Sequence, residues 1–535
     1  MVLFFKFNLQ RFKLLALALL VSFNVVAENN IKHYVQLNSI FSDGKYAPFW
    51  LTANRQGLSS VDNSNGFARY GLTIDGALGK SKNWRYSMTA DLMVGYNREN
   101  EVDLHQLNAD ISWKWLTLSV GAKQHYAEMR DFCKLGSDDV KDNANPLKYE
   151  YLSTMSELGS GGLVYSGNAK PVPQVRIGVS DYVNVPGTKS WLKVRGHIAY
   201  GLFLDNDFQE DFTKTNLSAR YAKNVMYHSK ALFLKFGNEK KFPLTVEGGL
   251  EMYSQFGGDI YTHAHGKILS MPRGFRDYIK AFIPLSGDET TPDTEQANIS
   301  GNQIGNWHLA FTLHTAPVDI RLYGEHMFED FSQLFFFEYQ ANKDGKRELV
   351  YYPWHDIQLG ISLKNKSGYL KFISNVQYEY TSTYNQSGAC YNDPNAYFNE
   401  QMDGMDNYYN HSIYPGWHYV GMGIGNPLVV SPIYNTNGSL EFRGNRIKAH
   451  NVGVNGIIDA DSEFMYRLMY TYCENWGSYY NPFDDKKYTT SLLADVMYLP
   501  KNNNWLFSLS VAYDKSNYIG DNWGVMLSLA RLGLF

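Results

Sequence analysis

The chain has 535 residues, of which 15% are aromatic, with 40 Tyr and 45 Gly and a formal net charge of only −4. So neutral a balance carries no electrostatic footprint for nucleic acid, and a composition this rich in Tyr and Gly fits alternating polar and apolar faces better than a compact α/β enzyme. Cys133, Cys390 and Cys473 are odd in number and far apart; they allow at most one bridge and no metal knuckle.

Residues 1–13 carry Lys6, Arg11 and Lys13, an apolar run follows from Leu14 to Val26, and Val25-Val26-Ala27 offers a small-residue cleavage site before Glu28. That run is too short to span a bilayer as a helix. It reads as a signal peptide over 1–27, leaving 28–535 as a single domain without a linker or composition break. No later stretch approaches the length of an apolar spanning helix, so any further membrane crossing falls to strands.

The clearest strand is Trp84–Tyr96. Trp84, Tyr86, Met88, Ala90, Leu92, Val94 and Tyr96 share one face, while Arg85, Ser87, Thr89 and Asp91 share the other. At about 3.3 Å per residue and a tilt of about 40°, its length crosses a hydrocarbon layer of roughly 25 Å with an aromatic residue at each interface. Leu107 to Trp115, Leu192 to Tyr200 and Trp505 to Tyr513 alternate in the same way. Turn clusters at Gly79–Asn83, Lys364–Gly368 and Pro500–Asn504 suit hairpin connections. Stretches near 127–160, 205–225, 383–440 and 475–488, rich in Asn, Asp, Tyr and Gly, are expected as long loops or a plug. One helix is expected near 272–283, where Phe275, Tyr278, Ile279 and Phe282 follow helical spacing between Pro272 and Pro284.

The chain closes on Trp523, Val525, Leu527 and Leu529 at alternate positions and ends in Phe535, as the last strand of an outer-membrane barrel does. Arg531 and Gly533 depart from that pattern. The fold expected is therefore all-β: a transmembrane outer-membrane barrel, exported through the periplasm.

Signals for covalent chemistry are weak. No nucleophile elbow, zinc-protease, phosphate-loop or dinucleotide motif falls where the strand pattern supports it. Glu325 and His326 are adjacent on a strand and point to opposite faces, so they cannot form one acid/base pair. His263-Ala264-His265 has same-face spacing but lacks a nearby third ligand. No catalytic residue, metal or cofactor is assigned.

Two blocks are too particular for generic barrel sequence. One runs from Gly161 through Asn168, Pro171 and Pro173 to Ile177. The other runs from Tyr408 through His411, Trp417, Gly425, Asn426 and Pro427, then Ser431-Pro432, and on to Asn445, Arg446 and His450. With Gly305-Asn306-Trp307-His308 and Tyr323 to Asp330, they resemble the capsule assembly Wzi family in the form found in Bacteroidetes-type bacteria. The resemblance implies a barrel of about eighteen strands, a helical element at the periplasmic mouth, and lectin-like binding of capsular polysaccharide or exopolysaccharide without covalent chemistry. Expected partners are that polysaccharide, outer-membrane lipid and the barrel assembly machinery, for a monomer that takes no nucleic acid. Rings and hydroxyl-matching groups suited to sugar cluster at Tyr408, Tyr409, His411 and Trp417, with Arg446 and His450 on a second, polar stretch beside Asn445 and Lys448. The same aromatic cluster also fits a girdle or a packed plug. A diffusion porin or oligosaccharide channel is the rival reading, and an outer-membrane enzyme the lesser one.

Overall fold

The computed structural model describes residues 29–533 apart from 80, 126–144, 290, 293–298, 331–333, 335–336, 342–345, 352–353, 367–369, 371, 387–405, 459–463 and 501–503. The expected signal peptide, Phe535, Cys133 and Cys390 lie outside the described residues, and Cys473 is a buried thiol.

Eighteen antiparallel strands form one sheet that closes on itself. They are β1 (Asn29–Asp43), β2 (Ser64–Leu78), β3 (Trp84–Tyr96), β4 (Val102–Trp113), β5 (Leu116–Ala122), β6 (Gln174–Asn184), β7 (Leu192–Leu202), β8 (Met226–Phe236) and β9 (Leu244–Phe256), then β10 (Asn302–His314), β11 (Val318–Glu329), β12 (Ile357–Asn365), β13 (Asn375–Ser382), β14 (Ile447–Ile457), β15 (Phe464–Gly477), β16 (Pro482–Tyr498), β17 (Trp505–Ser516) and β18 (Asn522–Leu532). Neighbours in the chain are neighbours in the wall, and β1 closes the barrel against β18 from Tyr34↔Leu532 to Asp43↔Trp523. Closure leaves no strand edge unpaired, which is the condition for a sheet to sit in lipid.

The strand β3 forms as the alternation predicts. Leu92 and Val94 face outward, about half exposed, whereas Asp91 and Met93, which alternate with them, face inward and are buried. The same outward exposure of Leu232, Leu309, Leu322, Leu468, Leu509 and Leu527 makes a continuous apolar belt, which only lipid can cover. Both departures in the last strand have local causes. The Arg531 guanidinium lies over the Trp505 ring at 5.4 Å. Gly533 has φ +82°, a left-handed conformation that suits glycine, and its N–H donates to the His33 carbonyl at 2.7 Å.

Short turns, the start of β1 and the end of β18 lie at one end of the barrel, the periplasmic end by the usual asymmetry. Long connections leave the other end at 44–63, 123–173, 203–225, 257–301, 330–356 and 383–446. The expected loop at 475–488 is mostly strand: β15 and β16 pair up to Asn475↔Lys487, leaving a short link after Gly477. Four helices are described, α1 (Phe49–Thr52), α2 (Pro146–Ser156), α3 (Phe208–Thr213) and α4 (Phe275–Phe282).

The expected amphipathic helix is α4, but it lies at the long-loop end, where Tyr200 donates to the Tyr278 carbonyl at 2.9 Å and Lys230 to the Ala281 carbonyl at 3.0 Å. The helix at the periplasmic end is instead α2, inside a stretch the sequence presents as loop. Asn145 caps it by accepting from the Leu147 N–H at 3.1 Å, and Pro146 takes its first position. Its last carbonyls, at Thr154 and Glu157, accept from the Arg467 guanidinium at 2.6 and 2.9 Å, a cation at the negative end of the helix. Leu147, Leu152 and Met155 pack against Tyr34, Met497, Leu506, Ala530 and Leu532 of the wall. So α2 fills the lumen near the short-turn end.

Candidate functional site

The upper lumen is filled by a plug in which the two particular sequence blocks meet. Ser166 donates from its backbone N–H to the Ile424 carbonyl at 2.8 Å and from its hydroxyl to Gly425 at 2.6 Å. Asn168 donates to the Gly423 carbonyl at 3.0 Å, and Asn426 reaches back to the Gly161 carbonyl at 2.7 Å. Trp417 donates its indole N–H to Val164 at 2.8 Å, and Tyr409 its hydroxyl to Leu163. The segment around α1 joins the same apolar cluster through Ala47, Trp50 and Leu51. Backbone without a regular ladder is tolerated here because side-chain amides and hydroxyls satisfy it.

Polar residues of the inner wall hold this plug in place. Asn306 and His308 are two apart on β10, so both face the lumen. Asn306 donates to Glu325 at 2.8 Å, His308 contacts Glu251 at 2.8 Å, and Glu325 also accepts the Leu163 N–H at 3.1 Å. Glu329 accepts the Tyr409 N–H at 2.7 Å, and Glu379 the Ser160 N–H at 2.5 Å. His326 points away from Glu325, contacting the Asp356 carbonyl at 2.9 Å and stacking on Trp354 at 4.1 Å. The opposite-face reading of Glu325 and His326 therefore holds, and the carboxylates act as acceptors for plug backbone. His263 is engaged by Thr213 at 3.0 Å and the Glu210 carbonyl at 3.1 Å.

The residues expected at a glycan site separate into three environments. Tyr408, Tyr409 and Trp417 are buried in the plug and offer no open ring face. His411 is half-buried beside them, accepting at Nδ1 from the Ile413 N–H at 3.2 Å. Arg446 sits at the outer rim, donating to the Tyr384 carbonyl at 2.9 Å with its guanidinium 4.6 Å from the Tyr384 ring and 5.8 Å from the Tyr479 ring. The polar stretch does not share one lumen face. Asn445 turns inward, donating to the Tyr408 carbonyl at 2.8 Å, whereas His450 is exposed on the outer wall and pairs with the Tyr378 hydroxyl at 2.8 Å. The period-two rule holds from Arg446 to Lys448, which both meet the Tyr384 ring at 4.6 Å, while Asn445 between loop and strand takes the opposite, inward side.

Lys448, on the expected polar stretch, lies at the same rim, 4.6 Å from the Tyr384 ring and 5.8 Å from Trp476. The rim also holds residues the sequence reading passed over: Lys486 lies 5.5 Å from Trp476, and Tyr479 and Tyr480 are exposed. Their signal was the basic and aromatic content on both sides of the link after Gly477, hidden because those residues belong to two different strand ends.

Burial makes the plug sensitive to acid. It pushes His418 down to about 4, and His411, with Arg220 adding to the effect, also to about 4. An unfolded histidine titrates near 6.5, so the opened plug binds protons that the closed one refuses. Plug stability is then constant above about pH 7 and falls as pH drops through 6.5 toward 4, by roughly 2 kcal/mol at pH 5 for a histidine released to water. The urea midpoint followed by Trp fluorescence is expected to fall between pH 7 and 5; a flat midpoint in wild type, or an unchanged slope in His418→Gln, contradicts this.

Comparison with known proteins places the architecture. No family model and no curated protein sequence matches the chain. Among solved structures, Wzi of Escherichia coli, described as an outer-membrane protein involved in group 1 capsule assembly and a carbohydrate-binding β-barrel, superposes with a TM-score of 0.51 at 11% identity, covering 93% of this chain and 83% of that one. OprD of Pseudomonas aeruginosa gives a TM-score of 0.43 at 8% identity, covering 95% of each chain. OpdQ of the same organism gives 0.44 at 8%, covering 95% of this chain and 98% of that one. The first match shows a shared outer-membrane barrel fold.

Proposed function

We propose that this protein binds surface polysaccharide at the outer membrane and assists the assembly or anchoring of a capsule or exopolysaccharide layer, without covalent chemistry. The observation that carries this reading is the filled lumen: a plug built from the two particular blocks above and α2 below suits a holder rather than a conduit. The Wzi barrel of Escherichia coli, which shares this fold, is a carbohydrate-binding protein, in agreement with this reading. Contact with the glycan falls to the rim, where Arg446, Tyr384, Tyr479 and Tyr480 combine cationic hydrogen-bond donors with ring faces for sugar. Tyr408, Tyr409, His411 and Trp417 serve this surface from beneath, as the packing that fixes the loop.

The test is a triple variant, Arg446→Ala with Tyr479→Ala and Tyr480→Ala. Retained surface polysaccharide is expected to drop severalfold at unchanged yield of heat-modifiable barrel. A full coat on cells carrying that variant would remove the rim from consideration.

A further inference from the structure

The helix α4 lies on the outside of the barrel. Tyr200 stands two positions from the exposed Ile198 on β7, and Lys230 two positions from the exposed Leu232 on β8, so both share the lipid-facing row of their strands. Phe256 follows Gln255, whose side chain reaches inward to the Gly416 carbonyl of the plug, and Gln303 follows Asn302, which donates to that same inward Gln255; these two also point out. All four residues meet α4. Tyr200 and Phe256 each hold the Tyr278 ring at 5.2 Å, and Gln303 donates to the Lys280 carbonyl at 3.2 Å. Lys230 donates to the Ala281 carbonyl with its ammonium 5.6 Å from the Phe282 ring. The helix thereby covers a cation on the lipid-facing row, where an uncompensated charge is costly.

The face of α4 beside those wall contacts is apolar. Phe275, Ile279 and Phe282 fall at i, i+4 and i+7 and make one stripe, continued by Ile283; all four are exposed, Phe275 at 81%. Arg276 is exposed about a quarter turn round from the stripe, and Arg273 is exposed just before the helix begins. Further along the same strand rows, Ile198, Leu232 and Leu234 belong to the lipid belt, so the stripe continues a surface that lipid covers. An apolar stripe flanked by arginine is the pattern of a helix lying in the membrane interface, and a helix on the lipid side of the wall at the end of the belt stands at that depth.

We propose that α4 is an interfacial anchor seated in the outer leaflet, with Phe275, Ile279, Phe282 and Ile283 among the acyl chains and the Arg273 and Arg276 guanidinium groups at the level of the headgroups. The same connection carries Ile260 and Met271 into the apolar cluster of the plug, so the anchor ties one edge of the plug to the membrane. This holds whatever the rim binds.

The experiment is spin labelling of the purified protein, carrying Cys133→Ser and Cys390→Ser, in vesicles of phosphatidylethanolamine and phosphatidylglycerol. Labels at Ile279→Cys and Arg276→Cys are compared for relaxation by oxygen, which concentrates in hydrocarbon, and by a nickel chelate, which stays in water. The ratio of oxygen to nickel relaxation is expected to be severalfold higher at position 279 than at 276, and close to that of a label at Leu232→Cys in the belt. Phe275→Cys, at the most exposed position of the stripe, carries the test if the Ile279→Cys protein is not heat-modifiable. A ratio at 279 no higher than at 276 would put the helix in water, and exclusion of both reagents from 279 would put protein over the stripe; either result overturns the proposal.

Discussion

Replacing Trp417 by Ala is expected to leave a heat-modifiable barrel while opening its lumen, so that a protein giving no steady conductance in a planar bilayer acquires discrete steps. Trp417 is fully buried, with its ring near Tyr227 at 6.4 Å, Tyr253 at 5.9 Å and Phe203 at 6.4 Å. Its truncation removes about 3–5 kcal/mol of packing and leaves the Val164 carbonyl without its indole donor. None of that cost falls on the strand ladders, which close the wall independently from β1 to β18. The plug is therefore the part that yields first. Steady conductance in the wild type would favour a channel over a holder, and a Trp417→Ala protein as tight as wild type would mean that the plug does not depend on this ring.

The wall was legible because its signal is local and periodic. In β3, β7 and β17, lipid on one face and lumen on the other impose a period of two that survives in the sequence, and the ends Trp84 and Tyr96 mark the interfaces. The helix α4 was legible for a similar reason, since one face meets the barrel while Phe275 and Ile279 stay exposed, giving a clear stripe. In α2 the apolar Leu147, Leu152 and Met155 are interspersed with Tyr149, Glu150 and Tyr151, because wall, cavity and plug surround the helix and each asks for something different. A helix contacted on several sides has no single stripe to read. The aromatic block at 408–419 was visible as a block, yet rings that bind sugar and rings that pack a plug have the same composition. Only burial separates them, and burial there depends on the segment near Gly161, far away in the chain.

Removing the Arg69 side chain is expected to be the most damaging single change in the lower lumen. Arg69 and Asp91 are fully buried, 3.5 Å apart; the same guanidinium donates to both oxygens of Glu150 on α2 at 2.9 Å, and Tyr34 donates to Asp91 at 3.0 Å. A buried pair adds little net stability over an apolar replacement, but breaking it from one side strands the opposite charges, at a cost of about 3–5 kcal/mol. Arg69→Met leaves two carboxylates facing each other without a cation, so α2 should detach from the wall. The predicted readout is a lowered urea midpoint and faster hydrogen exchange over 146–156, with the barrel itself still heat-modifiable. Arg69→Met combined with Asp91→Leu and Glu150→Gln removes the stranded charges and should recover most of the loss. Equal destabilisation in the single and triple variants would show that packing of the Arg69 stem, rather than charge balance, keeps α2 in the lumen.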